Sequence, residues 1–326
     1  MGISKQTTYK NTWATRGAVL VSTSENMYLV IKELVRGYRW NLVAVTANAE
    51  AAMRYVYANK ASVIIIDDTT DNPSIASVRT IMSDPIGPLV PVMCLLMDKH
   101  DREAQPLEKL GKIKVAPKPV TPTSFTPLYT GLLKLWETKQ FVALRTVRNK
   151  VINAPLDVQV QGFEKLEGLN QVAHLAIRAK ALTLLKAGRV KEAEKECLNL
   201  LKDRPADLGL ILTLGDIYMR AAMPALAHKL FASANNKFDG SLITLPDMVQ
   251  TSYMIGKHDL AIECIRKMFN KEYLQDKNLA FLGRLLYSEG KFEEAALILG
   301  SHELIFKDLD DTWKAAVNAN TDPISA

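Results

Sequence analysis

The fold is decided by four segments that recur along the second half of the chain: GRVKEA at residues 188–193, AMPALA at 222–227, GKHDLA at 256–261 and GKFEEA at 290–295. Each segment begins 34 residues after the one before it, and each ends in alanine. An internal period of this size is typical of repeat architectures, in which each unit buries its apolar face against its neighbours. The period therefore predicts a stack of similar units rather than an ordinary helical bundle.

The residues on either side of these turns favour pairs of helices. Gly215 and Gly283 occupy the same position before the second and fourth turns, and Phe231 and Leu299 lie four residues after the closing alanines. A small residue lets two helices approach closely, while larger residues fill the space beside it. Glycine opens three of the four turns, where a helix must end in a left-handed or sterically tight conformation. We therefore expect each unit to be a helix, a turn and a second helix.

This pattern resembles the tetratricopeptide repeat (TPR) over roughly residues 174–307. The second and fourth repeats fit best. The first has Lys180-Ala181 and the third Met248-Val249 where the family usually has Leu-Gly, and Pro205 is the only match to its closing proline. The resemblance implies an all-α, right-handed superhelix. The segment Asp308–Asn318 has one apolar face and is expected to cap the array.

The resemblance also implies a concave groove lined by the first helix of each repeat. The family's groove positions fall on Arg178, Leu182, Lys186, Asp216, Arg220, Gln250, Tyr253, Arg284 and Tyr287. Three arginines and a lysine against one aspartate make this face basic. Tyrosines beside arginines suit an acidic or carboxylate-ended peptide. The alternative is that these side chains only form solvated helix faces.

The first half of the chain alternates between strand-like and helix-like segments. Apolar stretches predict strands at 18–21, 42–45, 63–66, 90–97 and 112–115, and helical periodicity predicts helices at 26–38, 47–59 and 122–137. Such an alternation favours a doubly wound α/β fold with a five-stranded parallel sheet, whose site lies at the carboxyl ends of the strands.

Two charged residues stand at such strand ends. Asp67 follows the central strand, and Lys118-Pro119 follows the fifth. This combination resembles the receiver domain of bacterial response regulators, which has a flavodoxin-like fold. In that family the aspartate accepts a phosphoryl group, and two acidic residues after the first strand help to hold Mg²⁺. A hydroxyl residue after the fourth strand and the lysine contact the phosphoryl group, and the proline often follows a cis bond.

The other positions depart from the family pattern. The acidic pair falls on Ser22 and Thr23, and the hydroxyl position falls on Leu96 or its neighbour Met97. Mg²⁺ is usually held by carboxylates, phosphates and water, and phosphoryl transfer relies on its charge. Glu25 is a further carboxylate nearby that the sequence does not place.

We therefore expect a pseudo-receiver that lacks phosphotransfer and binds no metal or cofactor. Asp68, Lys118 and Pro119 would then be remnants of the receiver site, and the simpler interpretation makes Asp67 and Asp68 the solvated start of a loop. The alternative is residual phosphorylation at Asp67 with Mg²⁺.

These assignments divide the chain into an extension at 1–16, a receiver-like domain at 17–130, a connector at 131–173, the repeats with their cap at 174–319, and a tail at 320–326. Within the connector, residues 131–150 form a long helical pattern that a proline at 155 ends. The connector either couples the domains or adds a helix pair that opens the solenoid.

Composition excludes several classes. The first residues lack a signal-peptide core and no stretch is long enough to span a bilayer, so we expect a cytoplasmic protein without membrane insertion. The three cysteines Cys94, Cys197 and Cys264 are far apart, which predicts buried, reduced thiols. The net charge of +6 is too diffuse to indicate a nucleic-acid partner. The five scattered histidines are expected at surfaces or helix turns.

Two hypotheses for function follow. The first is a non-enzymatic bacterial signalling adaptor or scaffold, in which a pseudo-receiver and a TPR groove bring together protein partners of a two-component or motility-type pathway. The second is a response regulator that a histidine kinase switches at Asp67, with the repeats as its output. Partners in either case would include proteins or peptides, a histidine kinase or another response regulator.

Overall fold

The computed structural model of this chain describes residues 16–69, 73–169, 172–271, 276–291 and 293–295. Several predicted features lie outside the described residues: the amino-terminal extension up to residue 15, the capping helix Asp308–Asn318 and the tail at 320–326. None of the helices in the described part combines the length and the apolar character that a membrane-spanning segment needs.

The first half is built on a five-stranded sheet in which every strand is parallel to its neighbours. The strands are β1 (Gly17–Val21), β2 (Asn41–Thr46), β3 (Val63–Asp67), β4 (Val92–Leu96) and β5 (Ile113–Pro117), in the order β2-β1-β3-β4-β5. The buried apolar strands β1, β3 and β4 occupy the centre, as expected for a sheet covered on both faces. This confirms the predicted α/β class and its strand count.

Helices flank this sheet: α1 (Glu25–Arg36), α2 (Ala49–Tyr57), α3 (Ser74–Met82), α4 (Ala104–Glu108) and α5 (Pro122–Glu137). Neither α3 nor α4 is predicted by the sequence pattern. Helix α2 begins two residues later than predicted, because Asn48 is in extended conformation and its side chain accepts a hydrogen bond from the Ala51 N–H at 2.9 Å.

The connector contains two helices, α6 (Lys139–Val151) and α7 (Leu156–Glu164). The predicted single helix over 131–150 is wrong, because Thr138 adopts an extended ψ of 149° that ends α5 and begins α6. Gly162 of α7 lies so close to α6 that a Cβ there would be 2.6 Å from a methyl of Val151. Val160 of α7 shares an apolar cluster with Ala181. The connector thus packs as a helix pair on the first repeat.

In the part of the repeats that the structure describes, seven further helices are present: α8 (Ala173–Lys186), α9 (Val190–Asp203), α10 (Leu208–Arg220), α11 (Pro224–Lys237), α12 (Leu245–Met254), α13 (His258–Asn270) and α14 (Asp276–Ser288). The predicted close approach is present, since a Cβ on Gly215 would overlap the buried ring of Phe231. The described residues therefore confirm an all-α array of helix pairs with the 34-residue step.

The turn between the two helices of each repeat has positive φ at the same position. The values are 76° at Gly188, 55° at Ala222, 74° at Gly256 and 73° at Gly290. Alanine is strained in this left-handed region because its Cβ approaches the following carbonyl oxygen. The second turn thus keeps the geometry of the others without the residue that favours it.

We predict that Ala222→Gly raises the free energy of unfolding by about 1 kcal/mol, because glycine removes this strain. Chemical denaturation followed by circular dichroism measures the effect. Ala221→Gly is the matched control: Ala221 has a φ of −77°, so glycine there should leave stability unchanged or lower it. Equal effects of the two variants would contradict the prediction.

Candidate functional site

The carboxyl ends of the strands bring Asp67, Ser22 and Lys118 together. The Asp67 side chain is 1% exposed. Its Oδ2 accepts a hydrogen bond from Ser22 Oγ at 2.7 Å, and its Oδ1 forms an ion pair with Lys118 Nζ. Ser22 Oγ in turn accepts from the Ser24 N–H at 2.9 Å. Both oxygens of the candidate acceptor are therefore engaged by protein groups, and Asp67 is not a solvated loop residue.

Asp68 forms a second buried cluster next to the first. Its carboxylate accepts hydrogen bonds from the Ser74 N–H at 2.8 Å and the Met97 N–H at 3.1 Å, and its Oδ2 lies 2.6 Å from His100 Nδ1. Burial opposes ionisation of Asp68, but the bonds from His100 and these two N–H groups outweigh it and lower its pKa. Lys118 Nζ also donates to the Asp68 carbonyl oxygen at 2.5 Å.

His100 is the site residue that the sequence analysis missed. It was expected at a surface or helix turn, yet its side chain is 2% exposed. It lies in the 3₁₀ helix Asp98–Glu103 after β4, 32 residues beyond Asp68. A lone histidine in a polar segment carries no sequence signal of such a contact, and only the fold supplies it.

The geometry does not suit the Mg²⁺ site of the receiver family. Ser22 offers a hydroxyl that already binds Asp67, and Thr23 is exposed in the loop after β1. Within the described ranges, no three His, Cys, Asp or Glu side chains are grouped so that they could hold a metal ion. The described residues at these strand ends therefore do not fit a resident divalent cation.

The remaining receiver-like positions lack polar side chains for a phosphoryl group. Leu96 is fully buried at the end of β4, and its carbonyl oxygen accepts from the Lys118 N–H at 2.8 Å. Met97 is half-buried beyond it. The peptide bond between Lys118 and Pro119 is cis.

The concave surface of the repeats differs from the open groove that the sequence suggested, because the α/β part of the same chain packs against it. Arg178 of α8 is 4% exposed. Its guanidinium donates to the carbonyl oxygens of Leu110 and Met82, the latter at 3.1 Å, and to Thr213 Oγ1 at 2.9 Å. Two of these partners belong to the α/β part, so Arg178 holds the two halves together and is not free for a peptide.

A second contact joins α3 to the repeats. Arg79 Nη2 lies 2.8 Å and 3.0 Å from the two carboxylate oxygens of Asp247, and 3.8 Å from Asp216. Burial raises the pKa of Asp247 to about 6 although Arg79 lies beside it. Burial likewise raises the pKa of Asp216, which the sequence had assigned to the groove.

A third contact extends from the 3₁₀ helix that carries His100. The buried carboxylate of Glu103 accepts hydrogen bonds from Ser241 Oγ and, at 3.1 Å, from the Leu242 N–H. Lys271 Nζ lies 3.4 Å from the same carboxylate. One short helix thus contacts Asp68 at one end and the third repeat at the other.

The rest of the predicted groove remains accessible. Exposed side chains belong to Lys186, Arg220, Gln250, Tyr253 and Arg284, whereas Leu182 is buried and Tyr287 is half-buried. A cavity of about 560 Å³ lies between the ends of α8 and α10 and the end of α3, and Leu182, Lys186 and Arg220 line it together with Arg79. Among the described residues, neither Lys186 nor Arg220 forms an ion pair.

The three cysteines are buried free thiols, as predicted.

The solved structures to which this chain is similar include the following two. One is MamA (41-end) from Desulfovibrio magneticus RS-1, with 12% identity, a TM-score of 0.45, and coverage of 53% of this chain and 98% of that one. The other is a tetratricopeptide repeat protein from Parabacteroides merdae ATCC 43184, with 14% identity, a TM-score of 0.37, and coverage of 60% and 76%. No protein-family model matches the sequence, and no curated protein matches it.

We predict that Arg178→Met lowers the free energy of unfolding by about 2–4 kcal/mol, because it leaves two buried carbonyl oxygens and Thr213 without their donor. Denaturation measures this loss, and small-angle scattering should show a larger radius of gyration as the halves separate. Lys186→Met is the matched control, since Lys186 lies on the same helix but is exposed. An Arg178 variant as stable and compact as this control would contradict the interpretation.

Proposed function

We propose that this protein is a non-catalytic signalling adaptor, in which a degenerate receiver-like domain and a TPR array present surfaces to protein partners. The proposal rests mainly on the contacts of the Asp67 carboxylate with other protein groups. Its two oxygens contact Ser22 and Lys118, and the position that would need acidic residues has a serine and a threonine.

This arrangement favours a structural role over phosphoryl transfer. The Lys118 ammonium supplies one positive charge, whereas transfer to a carboxylate requires neutralisation of several developing negative oxygens. Ser22 is neutral and adds no affinity for a divalent cation. The contacts of Asp67 with Ser22 and Lys118 instead join the ends of β1 and β3 to the loop after β5.

The surface that we assign to partners is the accessible part of the concave face, around Lys186 and Arg220. Neither of these two side chains forms an ion pair among the described residues. Leu182 supplies an apolar wall beside them. An acidic or carboxylate-ended peptide matches this charge. Because Arg178 and Asp216 are engaged by the α/β part, we exclude them from the proposed contact surface.

The second candidate is a response regulator switched at Asp67 with the repeats as output. One observation favours it: Asp68 contacts His100, and Glu103 of the same 3₁₀ helix contacts the third repeat. A change at the strand ends would therefore reach the repeats through one short element. This candidate requires modification of Asp67 and bound Mg²⁺.

We predict that beryllofluoride with Mg²⁺ forms no adduct on the protein, because Ser22 and Thr23 replace the acidic pair that would hold the cation and the Asp68 carboxylate is bonded to His100. Fluorine NMR detects a bound species directly. The double variant Ser22→Asp, Thr23→Asp restores the acidic pair and is expected to gain Mg²⁺ binding. An adduct on the unmodified protein would contradict the pseudo-receiver and support the second candidate.

We predict that Lys186→Glu combined with Arg220→Glu reduces capture of the main partner at least about tenfold, because it places two negative charges opposite an acidic peptide. Quantitative affinity capture from cells measures the loss. The matched control is Lys195→Glu with Lys229→Glu, which changes the same charge on exposed positions of the second helices. Equal capture by both double variants would count against the assigned surface.

A further inference from the structure

A cavity lies at the junction of the two halves, away from both Asp67 and the accessible part of the concave face. Its volume is about 420 Å³. Its walls are the segment before β5 (residues 108–111), the start of α8 with His174, and the loop between α9 and α10 (residues 203–207). A second cavity of about 450 Å³ shares Glu108, Lys109 and Gly111 with it and adds Lys112. Small-molecule sites often occur at such domain junctions and have this size.

The acidic side chains at this cavity are largely committed to other partners. Asp207 accepts a hydrogen bond from the Leu210 N–H at 3.1 Å, where it caps α10. Glu108 lies 3.2 Å from Lys114 Nζ. Asp203 is exposed at the end of α9 and is the remaining carboxylate on the cavity wall.

The basic side chains at the two cavities carry more positive charge than the Asp203 carboxylate can neutralise. Lys109 and Arg204 line the cavity and are exposed, and Lys112 lies in the adjoining one. Among the described residues none of these three forms an ion pair with a carboxylate. Burial lowers the pKa of Lys112, and the charges of Arg204 and Lys114 lower it further. Like charges this close repel one another, and an anion bound between them would reduce the repulsion.

His174 adds a polar group that lacks a partner. Its Nδ1 is buried and has no hydrogen-bond partner among the described residues. Burial lowers the pKa of His174 to about 4, and the charges of Arg204, Lys112 and Arg178 contribute. The imidazole is therefore neutral at physiological pH and available as a hydrogen-bond donor in one tautomer.

We propose that this cavity binds a small phosphate-bearing molecule. Arg204 and Lys109 on its wall and Lys112 in the adjoining cavity supply the charge, and His174 supplies a hydrogen bond. A dianionic phosphoryl group matches an excess of about two positive charges better than a monoanion does. Because both halves of the chain form the walls, such a ligand would also stabilise their arrangement.

The test uses the full chain, with inorganic phosphate and inorganic pyrophosphate as probes and chloride at equal ionic strength as the reference. The imidazole resonances of His174, assigned with His174→Gln, are followed by NMR. We expect a saturable shift with either probe and a pKa of His174 at least about one unit higher at saturation, because a bound anion favours the charged imidazole. The same probes should raise the unfolding midpoint.

The variant Arg204→Gln, Lys112→Gln is expected to weaken binding at least about tenfold. Lys202→Gln, two residues before Arg204 and exposed, is the matched control and should bind as the unmodified protein does. If the double variant fails to fold, Arg204→Gln alone serves, since that side chain is exposed. A shift that does not saturate, that chloride reproduces, or that the variants leave unchanged would overturn the proposal.

Discussion

The buried guanidinium of Arg178 is the contact on which the arrangement of this protein depends. It sits on α8, yet it donates to carbonyl oxygens of Met82 and Leu110 in the α/β part. Burial lowers its pKa only to about 10, so it stays charged at neutral pH. A buried charge without hydrogen bonds costs free energy. The two halves are therefore most stable where the carbonyl oxygens of Met82 and Leu110 accept hydrogen bonds from this guanidinium. Gly209 of α10 leaves room for this contact, since a Cβ there would lie 2.8 Å from the Leu110 carbonyl oxygen.

This contact changes what the repeats can do. In an isolated array the concave surface would be free along its length, whereas here the α/β part occupies the portion around Arg178, Asp216 and Asp247. The accessible portion, around Lys186 and Arg220, has one wall that belongs to the other half of the chain. The surface that we propose for partners and the contact between the halves therefore share Arg79, which lines this cavity and pairs with Asp247.

The candidate carboxylate site was partly predictable. Asp67 and Lys118 follow different strands, and because the carboxyl ends of parallel strands meet at one edge, the sequence alone predicts that these two residues lie close together. The presence of Ser22 and Thr23 in place of the acidic pair is likewise evident from the sequence. The sequence does not predict the hydrogen bond from Ser22 to Asp67 or the buried pair of Asp68 and His100, since both depend on side-chain positions at the strand ends.

The parallel sheet and the 34-residue helical period can be predicted from the residues alone, because both arise from local patterns of apolar residues and turns that repeat along the chain. The same holds for a carboxylate near a lysine, with Ser22 and Thr23 in place of an acidic pair. Long-range packing, in contrast, sets which part of the concave face is covered and places a basic cavity with His174 at the junction. The contacts of Arg178 and Glu103 join residues that are far apart in the chain: Arg178 and Met82 are 96 positions apart, and Glu103 and Leu242 are 139 positions apart. The partners in these contacts are backbone carbonyl and N–H groups, which almost every residue carries, so no pattern of residue types predicts them.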